Sequence, residues 1–186
     1  MANDLSRGNV IIADTIGLLW KGWLKVRGFE YIPNAAGDAC ILQQYKTVTP
    51  IADSNIQITG TITSTTDLTD DNAANNKLTA AAFPLAALLH IKKSNGSTNN
   101  TKNGGLFLIT TAGDNDVVKT SDAAWPLTNE AGKLYDLEAF AGTTFYHILS
   151  QATEKAPVHR WFGNDGILAE NLALTTIGGG TLYIYI

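Results

Sequence analysis

Apolar and polar residues alternate along much of this chain, and that period of two is its dominant signal. Over residues 19–32, Trp20, Gly22, Leu24 and Val26 share one parity, while Lys21, Trp23, Lys25 and Arg27 share the other. That is the pattern of a half-buried strand. Residues 33–38 supply turn chemistry and 39–46 a returning strand, so the pair is expected to form one long hairpin. A second alternation spans 56–63, with threonines on its outer face. Residues 67–76 are rich in Asp and Asn and read as an exposed loop.

Farther along, 78–90 is Ala- and Leu-rich but interrupted by Pro84, which would remove a helical hydrogen bond. It reads as a short helical turn followed by a strand over 85–92. The stretch 94–105 holds nothing that could bury apolar area and is expected to be an interaction loop or hairpin tip. Strands are expected at 106–111, 143–149, 158–162 and 167–177, a turn cluster at 112–116 and a second short helix at 130–141. The glycines Gly178, Gly179 and Gly180 suggest a tight hairpin turn before a terminal strand, 181–186. In that strand Leu182, Ile184 and Ile186 share one face and Tyr183 and Tyr185 the other. Burying each aliphatic side chain stabilises by about 1.5–3 kcal/mol, enough to lock the segment into a sheet. The expected fold is all-β: about ten short strands, in a β-sandwich or jelly roll with one or two short helices in the middle segment.

Composition supports strands and turns, with 22 Thr and 15 Asn beside 17 Gly in 186 residues,. A net charge of −4 with scattered basic residues argues against a nucleic-acid partner, which would call for clustered cations. The single cysteine, Cys40, between Ala39 and Ile41, excludes an intramolecular disulfide and reads as a small buried hydrophobe. No apolar run has signal-peptide or bilayer-spanning length. The expected location is therefore the cytoplasm or a particle assembled there, with no membrane partner.

Candidate chemistry is sparse. His90, His147 and His159 carry no HExxH spacing and no cysteine companions, and Ser150 near His147 lacks a GxSxG frame,. Asp67, Asp70, Asp71 and Asn72, like Asp114 and Asp116, superficially suggest calcium loops, but the EF-hand order is missing and they read as acidic turns. No enzyme activity, cofactor or metal is expected. What remains is surface: Trp23, Trp125, Trp161, Tyr183 and Tyr185 are the candidate partner-binding residues. The plainer alternative is that most of them fill the core.

The ends of the chain carry a resemblance. Ile11-Ile-Ala-Asp-Thr15, Trp23-Leu-Lys-Val-Arg-Gly-Phe-Glu-Tyr31 and Ala36-Gly-Asp-Ala-Cys-Ile-Leu42 resemble the opening hairpin of small structural proteins of tailed bacteriophages. Trp161-Phe-Gly-Asn-Asp-Gly166, Leu172-Ala-Leu-Thr-Thr-Ile177 and Gly179-Gly-Thr-Leu-Tyr-Ile-Tyr-Ile186 resemble their closing strands. The resemblance implies a virion component made in the host cytoplasm, foremost a capsid decoration (cement) protein. Its partners would be the major capsid protein and copies of itself, as a homotrimer. Residues 1–9 would be an arm that orders on a neighbour, and 10–186 a single β domain. Within it, 48–157 would be an insertion between the hairpin 10–46 and the closing strands 158–186. A tail or neck component is the nearest alternative. A carbohydrate-binding module using the same aromatic residues is the other.

Overall fold

The structure, a computed structural model, describes residues 4–92, 103–121, 125–149 and 155–186, and among these described residues the regular structure is seventeen strands and one 3-10 turn. The chain divides into two units, residues 1–45 with 143–186 and residues 46–142. Unit 1 begins with β1 (Asp4–Arg7), β2 (Val10–Ala13), β3 (Gly17–Leu18), β4 (Trp23–Val26), β5 (Gly28–Ile32) and β6 (Ala39–Gln44). Unit 2 holds β7 (Ile56–Ile62), β8 (Asp67–Asp70), the turn Ala73–Asn75, β9 (Leu88–Lys92), β10 (Gly105–Thr111), β11 (Val117–Thr120) and β12 (Glu130–Phe140). The chain then returns to unit 1 with β13 (Thr143–Leu149), β14 (Val158–Trp161), β15 (Ile167–Glu170), β16 (Ala173–Ile177) and β17 (Thr181–Tyr185).

Unit 1 contains a five-stranded sheet in the order β1-β2-β17-β5-β14, a four-stranded sheet β13-β6-β16-β3 and a ribbon β15-β4. All three sheets feed one core: Ile11, Phe29, Tyr31, Leu182 and Ile184 from the first, Cys40, Leu42, Ile148 and Leu174 from the second, and Leu24, Val26 and Ala169 from the ribbon. The terminal strand β17 is central, with Ile184 opposite both Ile11 and Phe29. Burial pushes the Cys40 thiol up to about 12, so it stays a protonated hydrophobe.

Two expected hairpins are instead corners between sheets. β5 pairs with β17 and β14, whereas β6 pairs with β13 and β16. The segment 33–38 thus carries the chain from one sheet to the other, held by the Asp38 carboxylate, which accepts from the Asn34 and Ala35 amides at 3.1 and 2.8 Å. The triple glycine makes the reverse passage from β16 to β17 directly against this corner. A Cβ on Gly180 would lie 2.1 Å from the Ile32 carbonyl oxygen, and the residue has φ +95°, so only glycine fits.

Unit 2 is a closed barrel, β10-β11-β8-β7-β12-β9, rather than the sandwich or jelly roll expected of the whole chain. The expected helix at 130–141 is the barrel's longest strand, β12, paired with β7 on one side and β9 on the other. Tyr135, Leu137 and Ala139 are its inward residues, fully buried, and ladder bonds on both edges override the helical composition. The expected acidic loop also begins as a strand: β8 buries Leu68 and Asp70. Helical content is confined to the turn Ala73–Asn75 among the described residues, while 79–87 is a turn that buries Phe83 before β9. The expected interaction loop lies mostly outside the described residues. In the expected N-terminal arm, Asp4–Arg7 pair with β2 as an edge strand, and residues 1–3 lie outside the described set.

Candidate interaction face

Ile11, Ala13, Phe29, Tyr31, Leu182 and Ile184 point into the core of unit 1, so strand alternation turns their neighbours to the outer face of the five-stranded sheet. Two cross-strand rows result. Tyr185 stands between Val10 and Gly28, with Trp161 on the far side of Gly28; Tyr183 stands between Ile12 and Glu30, with His159 beyond. Gly28 has a clear role here. The Trp161 ring lies across it, and a Cβ at this position would sit 2.6 Å from the indole Cε3. Trp161 thereby reaches Tyr185 edge to face, with ring centroids 6.1 Å apart and planes at 62°, a favourable aromatic geometry.

A polar end completes the face. The Tyr185 hydroxyl donates to Glu30 Oε2 at 3.1 Å, and His159 Nδ1 lies 3.7 Å from Glu30 Oε1. Burial first, then the hydrogen bond and charge of Glu30, raise the Tyr185 phenol above its ordinary value, so it remains a donor at neutral pH. Trp161 is 58% exposed although it is held on one side. The arrangement offers an indole face beside a carboxylate-anchored phenol.

The five aromatic residues singled out in the sequence do not form one platform. Trp161, Tyr183 and Tyr185 share this face. Trp23, 64% exposed, stands on the ribbon opposite Glu170, with Leu168 exposed opposite Lys25. Trp125 is half-buried in unit 2. None of the five belongs to either core, and the largest buried aromatics are Tyr31, Tyr45, Tyr135, Phe29, Phe83 and Phe140. Nothing in the sequence singles out Gly28 or Glu30. His159, with His147, is what a jelly-roll hydrolase would need beside a carboxylate, and both read instead as structural or surface histidines. His159 lies on this exposed face beside Glu30. The strand expected over 19–32 breaks at Arg27, whose amide donates to the Tyr185 carbonyl oxygen, and parity reverses across the break.

Elsewhere several polar side chains pair with one another. On the barrel, Glu138 takes His90 Nδ1 at 2.7 Å and Lys92 Nζ at 2.8 Å, and Gln57 donates to Asp136 at 2.7 Å. His147 is exposed, and Ser150 lies outside the described residues. Among the described residues no group of three or more His, Cys, Asp or Glu side chains is placed to hold a metal ion. No protein-family model matches the chain. No curated protein and no solved structure matches it either.

Proposed function

We propose that this chain is a structural protein of a tailed-phage virion, most specifically a capsid decoration protein that docks through unit 1. The observation that carries the reading is the distribution of exposed apolar side chains. Among the described residues, Ile16, Trp23, Ile32, Leu149, Trp161, Ile167 and Leu168 are the exposed large hydrophobics of unit 1, against only Val48 and Leu85 in unit 2. Scattered exposed apolar residues are ordinary, but two exposed tryptophans in such a set favour a protein partner. Nearly all of the two stretches that resemble phage structural proteins falls in unit 1 as well. Its partners are the major capsid protein and further copies of the chain, as a trimer. We read unit 1 as the sandwich-like part of the fold, because the five- and four-stranded sheets supply the same core.

Mass spectrometry of purified virions, made from the genome that encodes the chain, tests this directly. The chain should be present at stoichiometric copy number, and its absence from particles would overturn the reading. Added back to particles that lack it, a Trp23→Ala/Trp161→Ala double variant should bind at least about tenfold more weakly, as expected for aromatic hot spots. A second reading, glycan binding on a surface appendage, is favoured by the exposed Trp161 ring beside the Tyr185–Glu30 pair. The 62° angle between the rings limits stacking to one sugar on the indole. Glycan-array binding lost in Trp161→Ala would support it.

A further inference from the structure

We infer that the ribbon β15-β4 is a self-association site, on which a second copy of the chain docks face to face about a two-fold axis. The inner side of the ribbon is spent on the core through Leu24, Val26 and Ala169. Alternation therefore sends Trp23, Lys25, Leu168 and Glu170 to the outer side. Trp23 lies directly opposite Glu170, and Lys25 directly opposite Leu168. The four side chains thus mark the corners of a small rectangle, with its apolar members on one diagonal and its charges on the other.

Within one copy neither diagonal closes. Trp23 is 64% exposed and Leu168 59%, so each keeps most of its surface in water. Diagonal neighbours on a ladder lie about 7–8 Å apart, farther than directly opposed ones. Lys25 also leans away from Glu170. A Cβ on Gly166 would come 2.9 Å from Lys25 Cγ, and Gly166 lies beyond the Ile167–Val26 pair, at the opposite end of the ribbon from Glu170. Among the described residues neither Lys25 nor Glu170 has an ion-pair partner.

Such a face is complementary to itself. Two copies meeting face to face are related by a two-fold axis in the contact plane, which makes the contact isologous. An axis laid along either side of the rectangle sets the Glu170 carboxylate against Trp23 or Leu168 of the other copy, desolvated and unpaired. Laid along the Lys25–Glu170 diagonal, it sets like charge on like charge. The Trp23–Leu168 diagonal satisfies all four corners: Trp23 meets Trp23, Leu168 meets Leu168, and Lys25 of each copy meets Glu170 of the other. Tryptophan is enriched among the residues that dominate binding energy, while the two crossed ion pairs fix the register. The patch is smaller than the roughly 800 Å² per partner of a stable interface, so association should be reversible. This two-fold contact is separate from a trimer's threefold one, and the inference does not rest on a role in a virion.

Sedimentation of the full chain from about 1 μM to 1 mM tests this. The mass should rise from one copy to two, with a Kd above about 10 μM for so small a contact. Trp23→Ala and Leu168→Ala, both at exposed positions, should each weaken association at least about tenfold. Charge variants test the geometry. Lys25→Glu and Glu170→Lys should each lose association alone, yet their equimolar mixture should form dimers, because opposite charges then meet at both crossed corners. A chain that stays monomeric over the whole range would overturn the inference. So would association that Trp23→Ala and Leu168→Ala leave unchanged. A mixture of the two charge variants, each with native circular dichroism, that associates no better than either alone would overturn it as well. None of these outcomes bears on whether the chain is present in virions.

Discussion

In unit 2 six strands close on themselves, whereas in unit 1 the sheets stay open. The consequence is visible on the two surfaces. Closure gives every barrel strand a partner on both sides, removing the free edges through which sheets associate. The outer wall of the barrel is dressed accordingly, with the His90–Glu138–Lys92 cluster and the Gln57–Asp136 pair. Unit 1 leaves β1 and β14 as the edges of its five-stranded sheet, and the β14 edge carries Trp161. Among the described residues the barrel has no open strand edge, while unit 1 keeps exposed apolar side chains and edge strands paired on one side only.

The sharpest way to break this contrast is to compare buried and exposed aromatics. Phe83 fills the barrel core, and Phe29 packs in unit 1 with ring centroids 4.7 Å from Tyr146 and 5.8 Å from Phe162. Phe83→Ala and Phe29→Ala should each cost about 3–5 kcal/mol in urea denaturation. Trp161→Ala should cost under about 1 kcal/mol, since most of its ring already faces water. A loss for Trp161→Ala as large as that for Phe29→Ala would mean that the indole is structural and the face is not reserved for a partner.

Glycines give the next effect in size. Gly180→Ala in unit 1 and Gly113→Ala in unit 2 each drive a methyl group to 2.1 Å from a carbonyl oxygen, that of Ile32 or Leu78. Neither backbone can yield without disturbing a corner or a bridge, so each should lower stability by about 1–3 kcal/mol. Gly132→Ala is the control. Its φ is +60° but nothing lies within 4 Å of the added carbon, so thermal melting should show only the smaller conformational cost, about 1 kcal/mol.

Much of the strand inventory was legible because period two survives wherever a strand buries one face. Ile56, Ile58 and Ile62, and Leu182 and Ile184, are the plain cases. What escaped was pairing. A turn signal such as 33–38 announces a reversal, but whether the next strand pairs with the last or crosses to another sheet depends on distant residues, here Gly178 to Gly180. The β12 segment misled for a related reason. Its Glu, Ala, Lys and Leu suit a helix, and only two long-range ladders make it a strand. At the candidate face the aromatics were readable, yet their grouping was not. The parity reversal at Arg27 sets Gly28 and Glu30 on the face of Tyr185, and no local pattern encodes it.

The smallest effect separates the units by pH. Glu138 is partly buried, which alone would raise its carboxyl, but hydrogen bonds and charge from Lys92 and His90 overcome this and hold it below its ordinary 4.5. A lowered folded value favours the native state once the unfolded carboxylate is ionised. That increment is lost as pH falls through the folded value, below about pH 4.5. Glu138→Gln should flatten this acid limb by under about 1 kcal/mol, because Lys92 and His90 remain one-third exposed,. Unit 1 has the opposite sign. Burial raises the Tyr31 phenol to about 12, with the charges of Asp38 and Cys40 adding to the shift, and burial raises the Cys40 thiol to about 12. The stability they confer is complete below their unfolded values and drains away as pH climbs toward 12. Urea titrations across both limbs should therefore show Glu138→Gln flattening the acid side and Cys40→Ala flattening the alkaline side. An acid limb left unchanged by Glu138→Gln would mean that the barrel's ion cluster is not what sets its acid sensitivity.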